Sequence, residues 1–163
     1  MATGNSINAN SSGYAVYDGA GTWSGRTFQA GTGISLTNAN GVSGNTTITS
    51  TGGGLTWTDV TGTTQAMSVN SGYTTDDGAS LVTLTLPSTA AYGTLMAVCG
   101  KASGGWTIAQ NSGQTIHFGI TNTTTGATGT LSSTKQYDVV YLLCTIANTD
   151  FTVVQSIGNL TVV

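Results

Sequence analysis

Tyr137-Asp138-Val139-Val140-Tyr141-Leu142-Leu143-Cys144-Thr145-Ile146 carries an unbroken apolar run from Val139 to Cys144. A run of this length with no 3.6-residue period reads as a strand. Its continuous apolarity is that of a strand covered on both faces. The domain's own core supplies one cover, and a subunit interface is the candidate for the other. Leu81-Val82-Thr83-Leu84-Thr85-Leu86 alternates in part, so it is expected to bury one face.

Working outward, the same pattern recurs. Strands are expected over Leu55–Val60, Gln65–Val69, Leu81–Leu86, Leu95–Lys101, Trp106–Gln110, Thr115–Gly119, Tyr137–Ile146, Phe151–Gln155 and Leu160–Val163, separated by Gly, Asn and Ser clusters. Gly (24 residues) and β-branched side chains favour strands and turns over helices, and Pro87 is the only proline. The chain is therefore expected to be all-β. Residues 55–163 would form an antiparallel β-sandwich or jelly roll.

Residues 1–54 differ in kind. Large apolar side chains are sparse, and the stretch reads as an extended, Gly-rich stalk, collar or assembly segment of short strands. Tyr14-Ala15-Val16-Tyr17 is one strand. Ile34-Ser35-Leu36-Thr37 and Thr46-Thr47-Ile48-Thr49 are a pair joined through Asn40-Gly41, a type I′ turn signal, and Gly44-Asn45. Such a segment has too little apolar surface to offset its ordering entropy alone, so a partner surface is expected to order it. Copies of the same chain are the simplest source.

Charge narrows the function classes. Only 6% of residues are charged, with Arg26, Lys101 and Lys135 as the cations and no glutamate among the acids. Three scattered cations on a chain of net charge -3 form no electrostatic footprint for nucleic acid. No stretch has the apolar length of a membrane span, so membrane insertion is not expected. Met1-Ala2-Thr3-Gly4-Asn5 lacks the pattern of a signal peptide. Either a leader has been removed, or the chain is expected to be made in the cytoplasm and to leave by assembly and lysis; so low a charge suits a particle-bound or secreted protein. Cys99 and Cys144 lie in apolar strands and are expected as buried free thiols rather than a disulfide framework.

With the turns placed, two sets of residues carry a resemblance. Gly31-Thr32-Gly33-Ile34-Ser35-Leu36-Thr37-Asn38, followed by Gly41-Val42-Ser43-Gly44-Asn45-Thr46-Thr47-Ile48, resembles a recurrent segment of phage tail fibres. Gly104-Gly105-Trp106-Thr107-Ile108-Ala109-Gln110, Gly113-Gln114-Thr115-Ile116-His117-Phe118-Gly119 and Gly158-Asn159-Leu160-Thr161-Val162 resemble a domain of phage tail-like structural proteins. The resemblance implies a homotrimeric fibre ending in a β-rich tip that adheres to a host surface, often to glycans, alongside other tail or fibre subunits. It implies a virion or extracellular location and supplies no catalytic residue. A filament subunit that polymerises by strand exchange through residues 1–54 is the alternative.

Catalytic and metal chemistry find no foothold in the pattern. Asp76-Asp77-Gly78 is the one adjacent acid pair and reads as a turn. An oxygen-ligand calcium loop needs more acids. His117 is the sole histidine, so one chain cannot assemble a triad or a zinc cluster. A threefold axis could gather three copies of it, which would repel on protonation. No cofactor, metal or catalytic residue is therefore expected, and the chain is expected not to be an enzyme.

Among Trp23, Trp57, Trp106 and the six tyrosines, Tyr73 and Tyr92 sit beside turn glycines and are the expected exposed, sugar-stacking contacts. Trp106 is expected to pack under a hairpin. Asn122, in the polar run 121–126, is the third candidate ligand contact. The Asn10, Asn45, Asn122 and Asn159 glycosylation patterns are expected by chance in so Asn- and Thr-rich a chain.

Overall fold

A computed structural model describes residues 14–17, 23–31, 33–40, 44–50 and 54–163, with the backbone alone for 14–17 and 23–26. Met1–Asn5, the Asn10 glycosylation pattern and Gly41 of the expected turn lie outside the described residues, as do the side chains of Tyr14, Tyr17 and Trp23. The chain divides into two units, Met1–Gly53 and Gly54–Val163. Among the described residues there is no helix, and none long and apolar enough to cross a membrane.

The first unit holds two antiparallel hairpins: β1 (Tyr14–Tyr17) with β2 (Trp23–Arg26), and β3 (Ile34–Thr37) with β4 (Thr47–Ser50). Strand β2 was not expected, because Trp-Ser-Gly-Arg has one apolar residue and a glycine. The β3–β4 connection is longer than a two-residue turn. Asn38 opens it at φ 54, and Thr46 Oγ1 donates back to the Asn38 carbonyl at 2.7 Å. The side chain of Asn38 also spans the connection, its Nδ2 donating to the Asn45 carbonyl at 3.4 Å.

The second unit contains β5 (Thr56–Val60), β6 (Thr64–Ala66), β7 (Ser71–Thr75), β8 (Val82–Thr85), β9 (Leu95–Gly100), β10 (Trp106–Ala109), β11 (Thr115–Phe118), β12 (Thr121–Asn122), β13 (Thr130–Ser133), β14 (Val139–Ile146), β15 (Asp150–Ile157) and β16 (Leu160–Val162). They form a five-stranded sheet, ordered β16-β13-β10-β8-β6, and a seven-stranded sheet, ordered β12-β11-β15-β14-β9-β7-β5.

From β5 to β10 consecutive strands alternate between the two sheets. β5, β7 and β9 are mutually parallel in one, and β6, β8 and β10 are mutually parallel in the other. Three rungs are thereby wound one on the next. This corrects the expectation of a purely antiparallel unit. The Gly- and Asn-rich turns that read as hairpins mostly carry the chain across to the opposite sheet, and a strand returning after that crossing runs the same way as before. Parallel pairs ordinarily need a long crossover, and here a strand of the other sheet is that crossover. Antiparallel pairing enters through β13, β14, β16 and the β11–β12 pair, while β11 and β15 run parallel.

One hydrophobic cluster draws from both sheets. Val82, Leu84, Ile108 and Leu131 come from the five-stranded sheet, and Met96, Val98, Ile116, Val140, Leu142 and Phe151 from the seven-stranded one. Each large side chain so buried contributes on the order of 1.5–3 kcal/mol. Trp106 is fully buried, as expected, and its indole Nε1 donates to the Asp138 carbonyl at 3.0 Å. Three strands went unanticipated here: Ser-Gly-Tyr-Thr-Thr (β7) and Thr-Leu-Ser-Ser (β13), because each has a single large apolar residue, and the two-residue Thr-Asn (β12), which has none.

At the end of the unit where β8 and β10 finish, the loops are held by a buried amide. Gln114 Nε2 donates to the Pro87 carbonyl at 2.8 Å and the Asn148 carbonyl at 3.1 Å. Its Oε1 accepts from Asn111 N at 2.8 Å and Asn111 Nδ2 at 3.2 Å. All four of its bonding positions are therefore used. Beside it Gln110 Nε2 donates to the Gln114 carbonyl, and Thr123 Oγ1 donates to Gln110 Oε1. Substitution Gln114→Leu keeps the volume and orphans these partners, at about 1–3 kcal/mol per buried group left unsatisfied. Urea unfolding should show a loss of at least about 2 kcal/mol.

Candidate binding face on the seven-stranded sheet

The seven-stranded sheet has two unlike faces. Along β14, Val140, Leu142 and Cys144 are buried against the core, while Val139, Tyr141 and Leu143 point the other way and are half-buried. The strand is covered fully on one side only. Strand register arranges the outer face in rows. Trp57 pairs with Gly72, Gly72 with Ala97, Ala97 with Tyr141, and Tyr141 with Gln155. A second row runs Asp59, Thr74, Cys99, Val139, Ile157. The third runs Leu95, Leu143, Thr152, His117, Asn122.

Trp57 shows why the sheet needs glycine in β7. A Cβ added at Gly72 would come within 2.5–2.7 Å of three central indole atoms. Near-equal distances to three ring atoms mean that the indole lies face-on over Gly72, and its residue remains 46% exposed. The cross-strand aromatic replaces the packing that a side chain on Gly72 would have made. Gly72 and Ala97 thus form a low floor between Trp57 and Tyr141.

Charge is confined to the margins of this face. At one corner Lys101 Nζ lies 2.6 Å from Asp76 Oδ2 and 2.9 Å from Asp59 Oδ2, and Thr74 Oγ1 donates to Asp59 Oδ1 at 2.6 Å. The Thr74 hydroxyl and then the Lys101 ammonium hold Asp59 below its ordinary carboxylate value, and the hydrogen bonds to Asp76 and Asp59 raise Lys101. At the opposite margin His117 Nε2 stands 3.7 Å from Asp150 Oδ2, too far for a hydrogen bond. Between them, burial pushes the Cys99 thiol up, so it stays protonated at neutral pH. Cys144 lies on the core side, and both cysteines are free.

The sequence-predicted contacts do not converge. Tyr73 is corrected outright: it is 3% exposed within the core, and its hydroxyl accepts from Ser68 N at 2.6 Å. Alternation along β7 turns it inward beside the outward Gly72 and Thr74. Tyr92 is 77% exposed at the tip of the β8–β9 turn, where Thr94 N closes onto the Ala91 carbonyl. Asn122 is exposed on β12, opposite His117, at the edge of the seven-stranded sheet. Asp77 opens a turn, with Ser80 N donating to its carbonyl, while Asp76 N donates to the Val60 carbonyl at the end of the β5–β7 pair. The rows themselves went unread in the sequence, because they join five strands whose register no local pattern encodes. Among the described residues no cluster of three or more His, Cys, Asp or Glu could hold a metal ion.

Comparison with known families finds no matching family model, and comparison with curated proteins finds no match.

The Lys101 corner has a defined pH signature. Lowering of Asp59 makes its contribution present above the ordinary value of 3.8 and lost as pH falls through the depressed one. Raising of Lys101 makes its contribution present below 10.5 and lost as pH rises through the elevated value. Thermal unfolding of Lys101→Met against the unsubstituted protein should show a small difference that is flat across neutral pH. The difference should shrink at both extremes and in high salt.

Proposed function

We propose that this chain is a structural protein of a phage tail fibre or similar extracellular fibre, a homotrimer whose second unit is a β-sandwich tip adhering to a cell-surface glycan. The observation that carries the reading is the β3–β4 hairpin of the first unit. Every described residue of β4 is exposed, and Ile48 is 62% exposed although it pairs with Leu36. No described residue before Val60 belongs to the hydrophobic core. A two-stranded hairpin without a packed face is marginal alone, so partner surface has to come from outside it. Three copies wound on one axis supply that surface symmetrically.

In this reading the tip acts through avidity, with three weak sites on one rigid body. Tyr92 is the contact best placed for a sugar ring, since it is an exposed aromatic on a turn anchored at its base. Asn122 is a second polar contact. The role is binding, not catalysis, and the protein is carried on the virion or the outer surface of a cell.

The alternative is a filament subunit assembled by strand exchange. It is favoured by β5 and β6, which are end strands of the two sheets. An end strand offers an unpaired backbone edge to an added strand.

Light scattering after size exclusion should give a trimer mass unchanged over a hundredfold dilution. Masses that grow with concentration favour the filament, and a monomer at all concentrations overturns both. On purified lipopolysaccharide and capsule polysaccharide, Tyr92→Ala should lose about tenfold or more in binding while the trimer mass stays fixed. Shortening of either polysaccharide on incubation would contradict the non-catalytic role.

A further inference from the structure

We infer that the second unit carries a second sugar contact at the end away from Tyr92, on the turn between β13 and β14, where Tyr137 stacks on an uncharged sugar ring beside Gln136 and the Lys101 corner. The inference rests on the glycan-binding reading and adds a site to it.

The backbone singles out Tyr137. It stands at φ 67, in the left-handed region. Among the described residues the other non-glycine positions with positive φ are Asn38, Asn70 and Asn148. Asparagine tolerates that region because its short polar side chain bonds locally, and a tyrosine has no such means. Strain of this kind persists only where the surroundings over-determine it, and it gathers at ligand-contacting sites.

The surroundings here do so. Tyr137 N donates to the Gly100 carbonyl at 2.6 Å, and Gly100 N donates to the Asp138 carbonyl at 3.0 Å. The buried Asp138 carboxylate accepts through Oδ2 from Thr134 N at 2.7 Å and Lys135 N at 2.9 Å. Its Oδ1 packs on Gly158, where an added Cβ would collide with it. The turn is thus held from beneath by a group that cannot move.

The fold makes no use of the side chain it strains to place. Tyr137 is 63% exposed, and its hydroxyl has no hydrogen-bond partner among the described residues. A rigidly mounted aromatic of this kind offers large amphipathic contact area with little ordering left to lose.

Polar groups for a saccharide lie alongside. Gln136 Nε2 donates to the Lys101 carbonyl at 2.8 Å, which fixes its amide next to the tyrosine. Lys101 Nζ and its partners Asp59 and Asp76 keep 36–48% of their side chains exposed. Donors and acceptors together suit hydroxyls, which both give and take hydrogen bonds. Charge sets the class of ring. At this end four carboxylates (Asp59, Asp76, Asp77 and Asp138) face two ammonium groups (Lys101 and Lys135), and Lys101 is already paired twice. An anionic sugar is therefore disfavoured and a neutral one is not. The six residues of β9 separate Gly100 from the Tyr92 turn by about 20 Å, so one ring cannot touch both tyrosines.

The test uses the full-length protein on an immobilised panel of neutral and uronate polysaccharides. The unsubstituted protein should bind a neutral polymer in preference to every uronate. Tyr137→Asn should weaken that binding about tenfold or more while the melting temperature holds or rises, because asparagine suits this φ. Tyr137→Phe keeps the ring and should keep most of the affinity. Preference for a uronate overturns the sugar class. Unchanged binding by Tyr137→Asn, or loss by Tyr137→Phe, overturns the stacking site. A fall in both affinity and melting temperature in Tyr137→Asn also overturns it, since the side chain then serves the fold. Loss of binding with Tyr92→Ala and not with Tyr137→Asn sinks this inference and leaves the glycan reading standing, whereas no binding to any polymer sinks both.

Discussion

One buried amide group, that of Gln114, holds the end of the second unit together. Loops that arch between two sheets bury carbonyls that no ladder satisfies, and each must find a partner or cost its desolvation. Gln114 meets two of them, on Pro87 and Asn148, from opposite sides of the unit, and fixes Asn111 at the same time. Asn111 then reaches the Leu86 carbonyl at 2.7 Å, and Asn148 accepts from Ala90 N at 2.9 Å. The turn that presents Tyr92 is anchored through the same residues, since Asn148 N donates to the Ala90 carbonyl and Gly93 N to the Cys144 carbonyl. The exposed tip is therefore positioned through a polar side chain that is itself buried.

Much of the architecture could be read from composition and pattern. Alternation in Val82–Thr85 and the unbroken run Val139–Cys144 placed two central strands, and the scarcity of apolar residues before residue 54 separated the units. What escaped reading was relational. Ser71–Thr75 has one large side chain, and it is a central strand only because β5 and β9 lie on either side of it. Parallel pairing was invisible because an arch between sheets and a hairpin within one use the same Gly and Asn residues. Tyr73 was misplaced for a related reason: nearness to Gly72 suggested a turn, while two-residue alternation sends neighbouring side chains to opposite faces. Gln110 and Gln114 stood out in the sequence as recurring positions, and their role as a buried bonding group needed the loops of four other segments to be seen.

The two units answer the low charge of the chain differently. In the first, Ile34 and Ile48 remain at the surface of the β3–β4 hairpin, which adds no described residue to the core. In the second, one face of the larger sheet closes the core and the other carries Trp57, Tyr141 and Leu143 outward. Both arrangements leave apolar surface that a chain with three cations cannot surround with charge. Assembly with further copies, under the function proposed above, removes the same liability from both units.

The winding of β5 to β10 also bears on time. Thr56 meets Ser71 and Ser71 meets Met96, so every parallel pair closes a loop before it gains a hydrogen bond. Topologies dominated by such non-local pairs fold in milliseconds to seconds rather than microseconds. When interactions of this kind form late, they slow unfolding more than they speed folding. A unit built this way persists by the height of its unfolding barrier rather than by equilibrium stability alone. Under the function proposed above the part would work beyond the reach of chaperones, where a slow clock is worth more than a deep well.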